Sequence, residues 1–234
     1  MYAKRIDGRG FEETRKIEAK VGVIPRADGS AYFKVGNTIA YAAVYGPRNL
    51  YPKFLQDPQK GILRCHYNMM PFSSSEERVR PGGSRRSKEI SLVTEKALLP
   101  VLNLDEYPNS VVDVFIEFPQ TEAGSRCAGI CAASMALADA GLAMKDLVAA
   151  IAVGKVEDKL LVDLDYSEES YDNAVDIPVA ILPNSEKITL LQMDGEITKD
   201  ELKNLIEMAK KVCKDIYDIQ KKALKEKYEV EKNG

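Results

Sequence analysis

Three short stretches of this chain combine residue types that could do chemistry. The first is Gly124-Ser125-Arg126, between an apolar run that reads as a strand and a small-residue run that reads as a helix. The first N–H groups of a helix lack internal partners, and the helix dipole is positive there. Gly124 would let backbone amides approach an anion, Ser125 offers a hydroxyl, and Arg126 offers a fork of N–H donors. Together they suit a phosphate group. An ordinary serine N-cap with a solvent-facing arginine fits the same residues. The Walker pattern G-x-x-x-x-G-K is absent.

The second stretch is basic: Arg78, Arg80, Arg85, Arg86 and Lys88, with Glu76, Glu77 and Glu89 among them. Arg85-Arg86 follows Pro-Gly-Gly-Ser just ahead of a predicted helix. Adjacent arginines there could hold nucleic-acid phosphates without reading bases; a solvated surface loop is the alternative. The third stretch is acidic and holds Asp163, Asp165, Glu168, Glu169, Asp172 and Asp176. Carboxylates crowded beside a phosphate site can act as a general acid or hold a divalent ion.

Other chemistries are excluded. The only histidine is His66, so no two-histidine mechanism is available. A Ser-His-Asp hydrolase would need a G-x-S-x-G elbow, which is missing. The four cysteines, Cys65, Cys127, Cys131 and Cys213, form no C-x-x-C pair, so a zinc site is not expected and buried reduced thiols are.

The elements that must position these residues follow from periodicity and turn signals. Val21–Ile24, Ala31–Val35, Thr38–Val44, Cys65–Pro71 and Val111–Phe118 read as strands, as do Val148–Gly154, Lys159–Leu164, Ile177–Leu182 and Lys187–Met193. Ala27-Asp28-Gly29-Ser30 and Gly36-Asn37 are turns, and Glu76–Ser87 is a polar loop. Helices are expected over Ser87–Leu102, from Gly124-Ser125-Arg126 to about Ala140 with Gly141 as its stop, and from the capping box Thr198/Glu201 to about Tyr228. This order predicts an α/β (α+β) fold with mixed sheets packed against helices. The 234 residues suit one domain, with a first part over about 1–145 and a second over about 146–228. Hydrophobic residues make up 45% and charged residues 29%, as in an ordinary globular protein. No apolar run approaches the roughly 20 residues of a membrane helix. The start Met1–Asp7 lacks a signal-peptide core, so no membrane contact and a cytoplasmic location are the expectation. The net charge of −3 means that any contact with nucleic acid must rely on local positive charge or on partner chains.

Taken in order, nine segments resemble the ribonuclease PH family, and within it the catalytic ring subunits of the archaeal exosome. They are Arg5-Ile6-Asp7-Gly8-Arg9, Ala27-Asp28-Gly29-Ser30-Ala31, Tyr45-Gly46-Pro47-Arg48, Met70-Pro71-Phe72-Ser73 and Arg85-Arg86-Ser87, then Glu122-Ala123-Gly124-Ser125-Arg126, Ala138-Asp139-Ala140-Gly141, Val175–Ala180 and Gln192-Met193-Asp194-Gly195. The resemblance implies a ribonuclease PH-like β-α-β-α core and six-membered rings around an RNA channel. It implies degradation of single-stranded RNA from the 3′ end with inorganic phosphate as co-substrate, releasing nucleoside diphosphates, and a reverse reaction that adds tails. It also implies alternation with a related non-catalytic ring subunit and a cap of RNA-binding subunits. On this resemblance the phosphate loop falls on Gly124, Ser125 and Arg126, and the RNA-phosphate arginines fall on Arg85 and Arg86. A channel-lining loop falls on Arg64 and His66. The catalytic aspartate falls on Asp176, acting directly or through a bound Mg²⁺.

One departure stands out. The family pattern runs Glu-Glu-Asp, then Asp six residues after the first; here Ser170 follows Glu168-Glu169, and the segment is one residue longer. Three readings follow: Asp172 takes over, Asp176 suffices alone, or the site is weakened. The last leads to an alternative role, a silent ring subunit that binds and threads RNA.

Overall fold

A computed structural model of the chain describes residues 2, 4–74 and 78–231. Ser75 lies outside the described residues, as do Glu76 and Glu77 at the start of the expected polar loop. Two sheets sandwich a small-residue helix. The first sheet is built from β1 (Ile17–Val21), β2 (Gly29–Val35), β3 (Thr38–Asn49), β4 (Ile62–Met69) and β5 (Ser110–Gln120), in the order β1-β2-β3-β5-β4. Only the β4–β5 pair is parallel, with the helix α1 (Arg85–Leu98) as its crossover. The second sheet, order β7-β6-β8-β9, is antiparallel: β6 (Ala149–Val156), β7 (Lys159–Val162), β8 (Val175–Leu182) and β9 (Lys187–Leu191).

Between the sheets runs α2 (Ser125–Asp139), with thirteen of its fifteen residues buried. Alanine, glycine and cysteine on every side let it approach both sheets closely, and one continuous core runs from Ala31 and Phe33 to Ile177 and Val179. All four cysteines are buried, as expected, and unpaired, and burial pushes their thiols up. The long α4 (Lys199–Glu231) covers β6 and β1 and begins at the predicted Thr198/Glu201 box. Among the described residues no helix is long and apolar enough to cross a membrane.

The boundaries differ from expectation where tertiary pairing decides them. The first strand is Ile17–Val21, not Val21–Ile24. It pairs antiparallel with β2 and ends at Gly22, whose φ of +68° the hairpin return requires. Helix α1 starts two residues early because Ser84 and Ser87 cap it reciprocally, which places Arg85 and Arg86 in its first turn rather than ahead of it. The acidic stretch contains a further one-turn helix, α3 (Tyr166–Glu169), capped by Asp165.

The two sheets are also tied by buried charges. Arg15, ahead of β1, binds both oxygens of Asp163, just after β7, with Nη2 to Oδ1 at 2.7 Å and Nε to Oδ2 at 3.0 Å. The side chains are 7% and 3% exposed. Arg5 does the same to Glu168, with both side chains fully buried, and also donates to the carbonyls of Val162 and Asp163. Burial alone would raise the Glu168 carboxyl. The hydrogen bonds from Arg5 and Tyr2 outweigh it and hold the group below its ordinary value. A carboxylate depressed in this way stabilises the fold above its unfolded pKa and loses that contribution as pH falls through the folded value.

Removing one partner of such a pair leaves the other charge buried and alone. Arg15→Met is expected to lower the unfolding free energy by about 3–5 kcal/mol in urea titrations. A loss under about 1 kcal/mol, the size of an exposed pair, would contradict this account.

Candidate active site

The Gly124 loop is built from three sides. The Thr38 hydroxyl donates to the Ala123 carbonyl at 2.7 Å and accepts from the Glu122 N–H at 3.1 Å. Arg15 Nη2 reaches the same Ala123 carbonyl at 3.3 Å. Gly124, not Ser125, is the N-cap of α2, with φ +67°, a conformation side chains rarely adopt. Ser125 therefore sits at the first helical position, 7% exposed, and its hydroxyl oxygen accepts from the Tyr67 hydroxyl at 2.8 Å. Its own proton remains available to donate. Arg126 is not solvent-facing: its side chain is 22% exposed, Nη2 donates to Glu89 of α1 at 3.2 Å, and the buried Nε has no partner among the described residues.

A small cavity of about 70 Å³ sits on this helix start, walled by Gly124, Ser125, Arg126, Arg86, Glu169 and Asp176. It shares Arg86, Arg126, Glu169 and Asp176 with a wider recess that Gln192 and Asp194 also line. It shares Arg86, Glu122 and Ser125 with a third cavity, of about 440 Å³, reaching to Arg78 and Arg80. Arg86 is thus common to all three. Arg85 is not: consecutive helical residues point about 100° apart, and Arg85 lines only a separate hollow over residues 80–84. The adjacent pair does not act from one face.

The acidic stretch divides into distinct tasks. Asp163 and Glu168 are held by arginines, and Asp165 caps α3. Asp172 is exposed and lines none of these cavities, because it lies in the turn between α3 and β8. Ser170 is turned away as well: its hydroxyl donates to the Tyr166 carbonyl at 2.7 Å at the end of α3. The carboxylate that faces Asp176 is Glu169. Burial pushes Asp176 up to about 6, with Arg126 and Arg86 pulling it down and Asp194 pushing it up. Burial and the Asp176 charge push Glu169 up to about 7 against Arg15 and Arg86. Raised carboxyls beside arginines at a helix start can bind phosphate and hold a proton in reserve.

A magnesium site at Asp176 fits less well. Asp176 Oδ1 is buried without a partner, yet among the described residues no three His, Cys, Asp or Glu side chains come together at ligand spacing. A divalent ion there would rest on Asp176, with substrate phosphate oxygens and water completing its shell.

Arg64 and His66 lie on β4, not in a loop, and line none of these cavities. Arg64 pairs in bidentate fashion with Asp113 at 2.8 and 3.0 Å, and the His66 ring stacks on Phe115 with centroids 4.8 Å apart. Sequence reasoning named Glu169 only among the acidic stretch, without singling it out, and missed Gln192, Asp194 and Arg15 as parts of the site. Gln192 and Asp194 stood within a recognised landmark. Alternation of side chains across the sheet was the available signal, since Asp194 pairs with Asp176 in register.

Comparison with known proteins fits this geometry. The model of the 3′ exoribonuclease family, domain 1, matches residues 13–143, and that of domain 2 matches residues 146–212. The exosome complex component Rrp41 of Methanopyrus kandleri is 52% identical over 209 residues, covering 89% of this chain and 87% of that protein. The Rrp41 of Thermococcus kodakarensis is 55% identical over 208 residues, covering 89% and 83%. In fold, the chain resembles rice Rrp46 at TM-score 0.84 and 23% identity, over 94% of this chain and all of that one. It also resembles a chain of the Archaeoglobus fulgidus exosome with RNA bound to the active site, at TM-score 0.78 and 24% identity, over 92% of each. With both family models matched in sequence and the phosphate loop and acidic residues gathered around one cavity, this chain belongs to the ribonuclease PH family of 3′ exoribonucleases.

Proposed function

We propose that this chain is a phosphorolytic 3′→5′ exoribonuclease subunit of an exosome core. The observation that carries this reading is the convergence of Ser125, Arg126, Arg86, Asp176 and Glu169 on one cavity at the start of α2. Inorganic phosphate sits on the Ser125 hydroxyl, the helix-start amides and Arg126, in line with the last RNA linkage. Phosphoryl transfer depends on positioning and charge stabilisation, which two arginines and a helix terminus supply. A phosphate oxygen attacks, the P–O3′ bond breaks, and Asp176 protonates the departing 3′ oxygen. The phosphate that attacked becomes the outer phosphate of a nucleoside diphosphate, and its hydroxyl returns a proton to the Asp176–Glu169 pair. The same groups run the reverse reaction, which adds nucleotides to RNA. Arg86 holds the scissile phosphate, while Arg85, Arg64 and His66 meet RNA further along its path. Backbone contacts of this kind give little sequence preference.

The similarity to Rrp41 components supports assembly with a related non-catalytic subunit in an alternating ring, under a cap of RNA-binding subunits, in the cytoplasm. Local clusters of positive charge on a chain of net charge −3 accord with an RNA path shared between chains. The silent-subunit alternative rested on Ser170. It loses force because Ser170 caps α3 while two other carboxylates line the cavity.

Two predictions follow from the site. With 5′-labelled oligo(A), phosphate and the assembled complex, Asp176→Ala lowers kcat by about 10²–10⁴-fold with RNA binding retained, and Arg126→Glu sharply raises the phosphate requirement or abolishes turnover. Wild-type rates in both would refute the site. Because the acid must be protonated, the single-turnover rate falls as pH rises through the range between about 6 and 7 set by Asp176 and Glu169. Glu169→Gln removes a neighbouring negative charge and moves that fall to lower pH; an unmoved profile would exclude the pair.

A further inference from the structure

The recess beyond the phosphate cavity contains three buried side-chain atoms with no hydrogen-bond partner among the described residues: Arg126 Nε, Asp176 Oδ1 and Gln192 Oε1. Native structures leave few such groups, and one donor with two acceptors around one recess describes a missing ligand. The functional reading gives Arg126 a phosphate oxygen and Asp176 the 3′ oxygen. Gln192 is left without a role.

Its orientation is fixed by chemistry. Gln192 Nε2 donates at 3.3 Å to Glu89 Oε1, the same oxygen that takes Arg126 Nη2 at 3.2 Å. An ionised carboxylate only accepts, so the amide nitrogen must face Glu89 and the carbonyl oxygen must point elsewhere. The backbone sets its place. Gln192 N–H bonds the Pro178 carbonyl at 3.2 Å, and Asp194 and Asp176 exchange N–H···O bonds at 2.9 and 3.1 Å. Opposed residues, and those two apart on a strand, share a face. Asp176, Pro178, Gln192 and Asp194 therefore stand on one face, which also borders the recess. An uncharged acceptor beside the group that protonates O3′ takes a hydroxyl donor. On RNA the hydroxyl adjacent to O3′ is the 2′-OH of the same ribose, and DNA lacks it.

We propose that Gln192 is the specificity residue that reads the 2′-hydroxyl of the penultimate nucleotide, the one that carries the leaving 3′ oxygen. This rests on the phosphorolysis reading. The carbonyl oxygen accepts from the 2′-OH and steadies the ribose so that O3′ lies against Asp176. A substrate lacking that hydroxyl leaves the acceptor buried and unpaired, which penalises it at this one position.

The test compares oligo(A) of ribonucleotides with the same oligomer carrying a single 2′-deoxy residue at the penultimate position. Both are given to the assembled complex with inorganic phosphate, and diphosphate release is followed. Wild type should prefer the all-ribo substrate by about 100-fold in kcat/KM. Gln192→Met, close in size but without an acceptor, should slow the all-ribo substrate about 10- to 100-fold and leave the deoxy substrate within about twofold, so the preference collapses. Gln192→Ala should do the same if methionine disturbs packing. A preference that persists in both variants, or an equal slowing of both substrates, would overturn the assignment. Absence of phosphate-dependent diphosphate release by the wild-type protein would overturn the functional reading and this assignment with it.

Discussion

The buried contact between Arg15 and Asp163 fixes the relation of the two halves of the site. One arginine, placed just ahead of the first strand, grips a carboxylate from the second sheet and also reaches the Ala123 carbonyl and the Glu122 carboxylate of the phosphate loop. The loop that would receive phosphate and the segment that carries Glu169 are thereby held to the same guanidinium. Arg5 makes a second such contact, clamping Glu168, the neighbour of Glu169. Charges this deeply buried exact a desolvation cost that only close pairing offsets, so such pairs add little net stability, while a change of register that broke them would be costly. A shift of either sheet would strand a charge before it opened the core.

The electrostatics of the cavity follow from opposed sets of groups. Arg86, Arg126 and the α2 terminus make the floor positive, which suits phosphate. Asp176 and Glu169 line the same cavity, with Asp194 in the recess beside it, and burial outweighs the nearby arginines and raises the first two carboxyls. Two carboxylates close together resist losing both protons. On the proposed mechanism, the two sets together would bind an anion and still keep a proton for the leaving oxygen, which either set alone would not do. Small residues make this closeness possible. Opposite Asp176, a Cβ on Gly154 would fall 1.9 Å from the Val175 carbonyl, so only glycine lets β6 run beside the start of β8.

Much of this was legible in the sequence. Period-two and helical spacing located eight of the nine strands and three of the four α-helices, because each buries one face against a common core. Gly124-Ser125-Arg126 was legible as a helix start; an ordinary N-cap with a solvent-facing arginine fitted the same residues until the fold gathered Arg86, Glu169 and Asp176 around them. What could not be read was the direction of side chains that long-range contacts settle. Asp172 was a reasonable partner for Asp176 while the stretch was taken as extended. A one-turn helix capped by Asp165 turns Glu169 inward and leaves Asp172 outside. Arg85 and Arg86 looked equivalent until the Ser84 cap started the helix beneath them. Arg15 carried no local signal, since its importance lies in a carboxylate 148 positions away.

The most direct measurement of the central claim follows the fate of the attacking group. The assembled complex is given unlabelled oligo(A) and radiolabelled inorganic phosphate. If phosphate bound at Ser125 and Arg126 is the nucleophile, one label appears in the outer phosphate of each nucleoside diphosphate released. Unlabelled nucleoside monophosphates as the product would contradict the account.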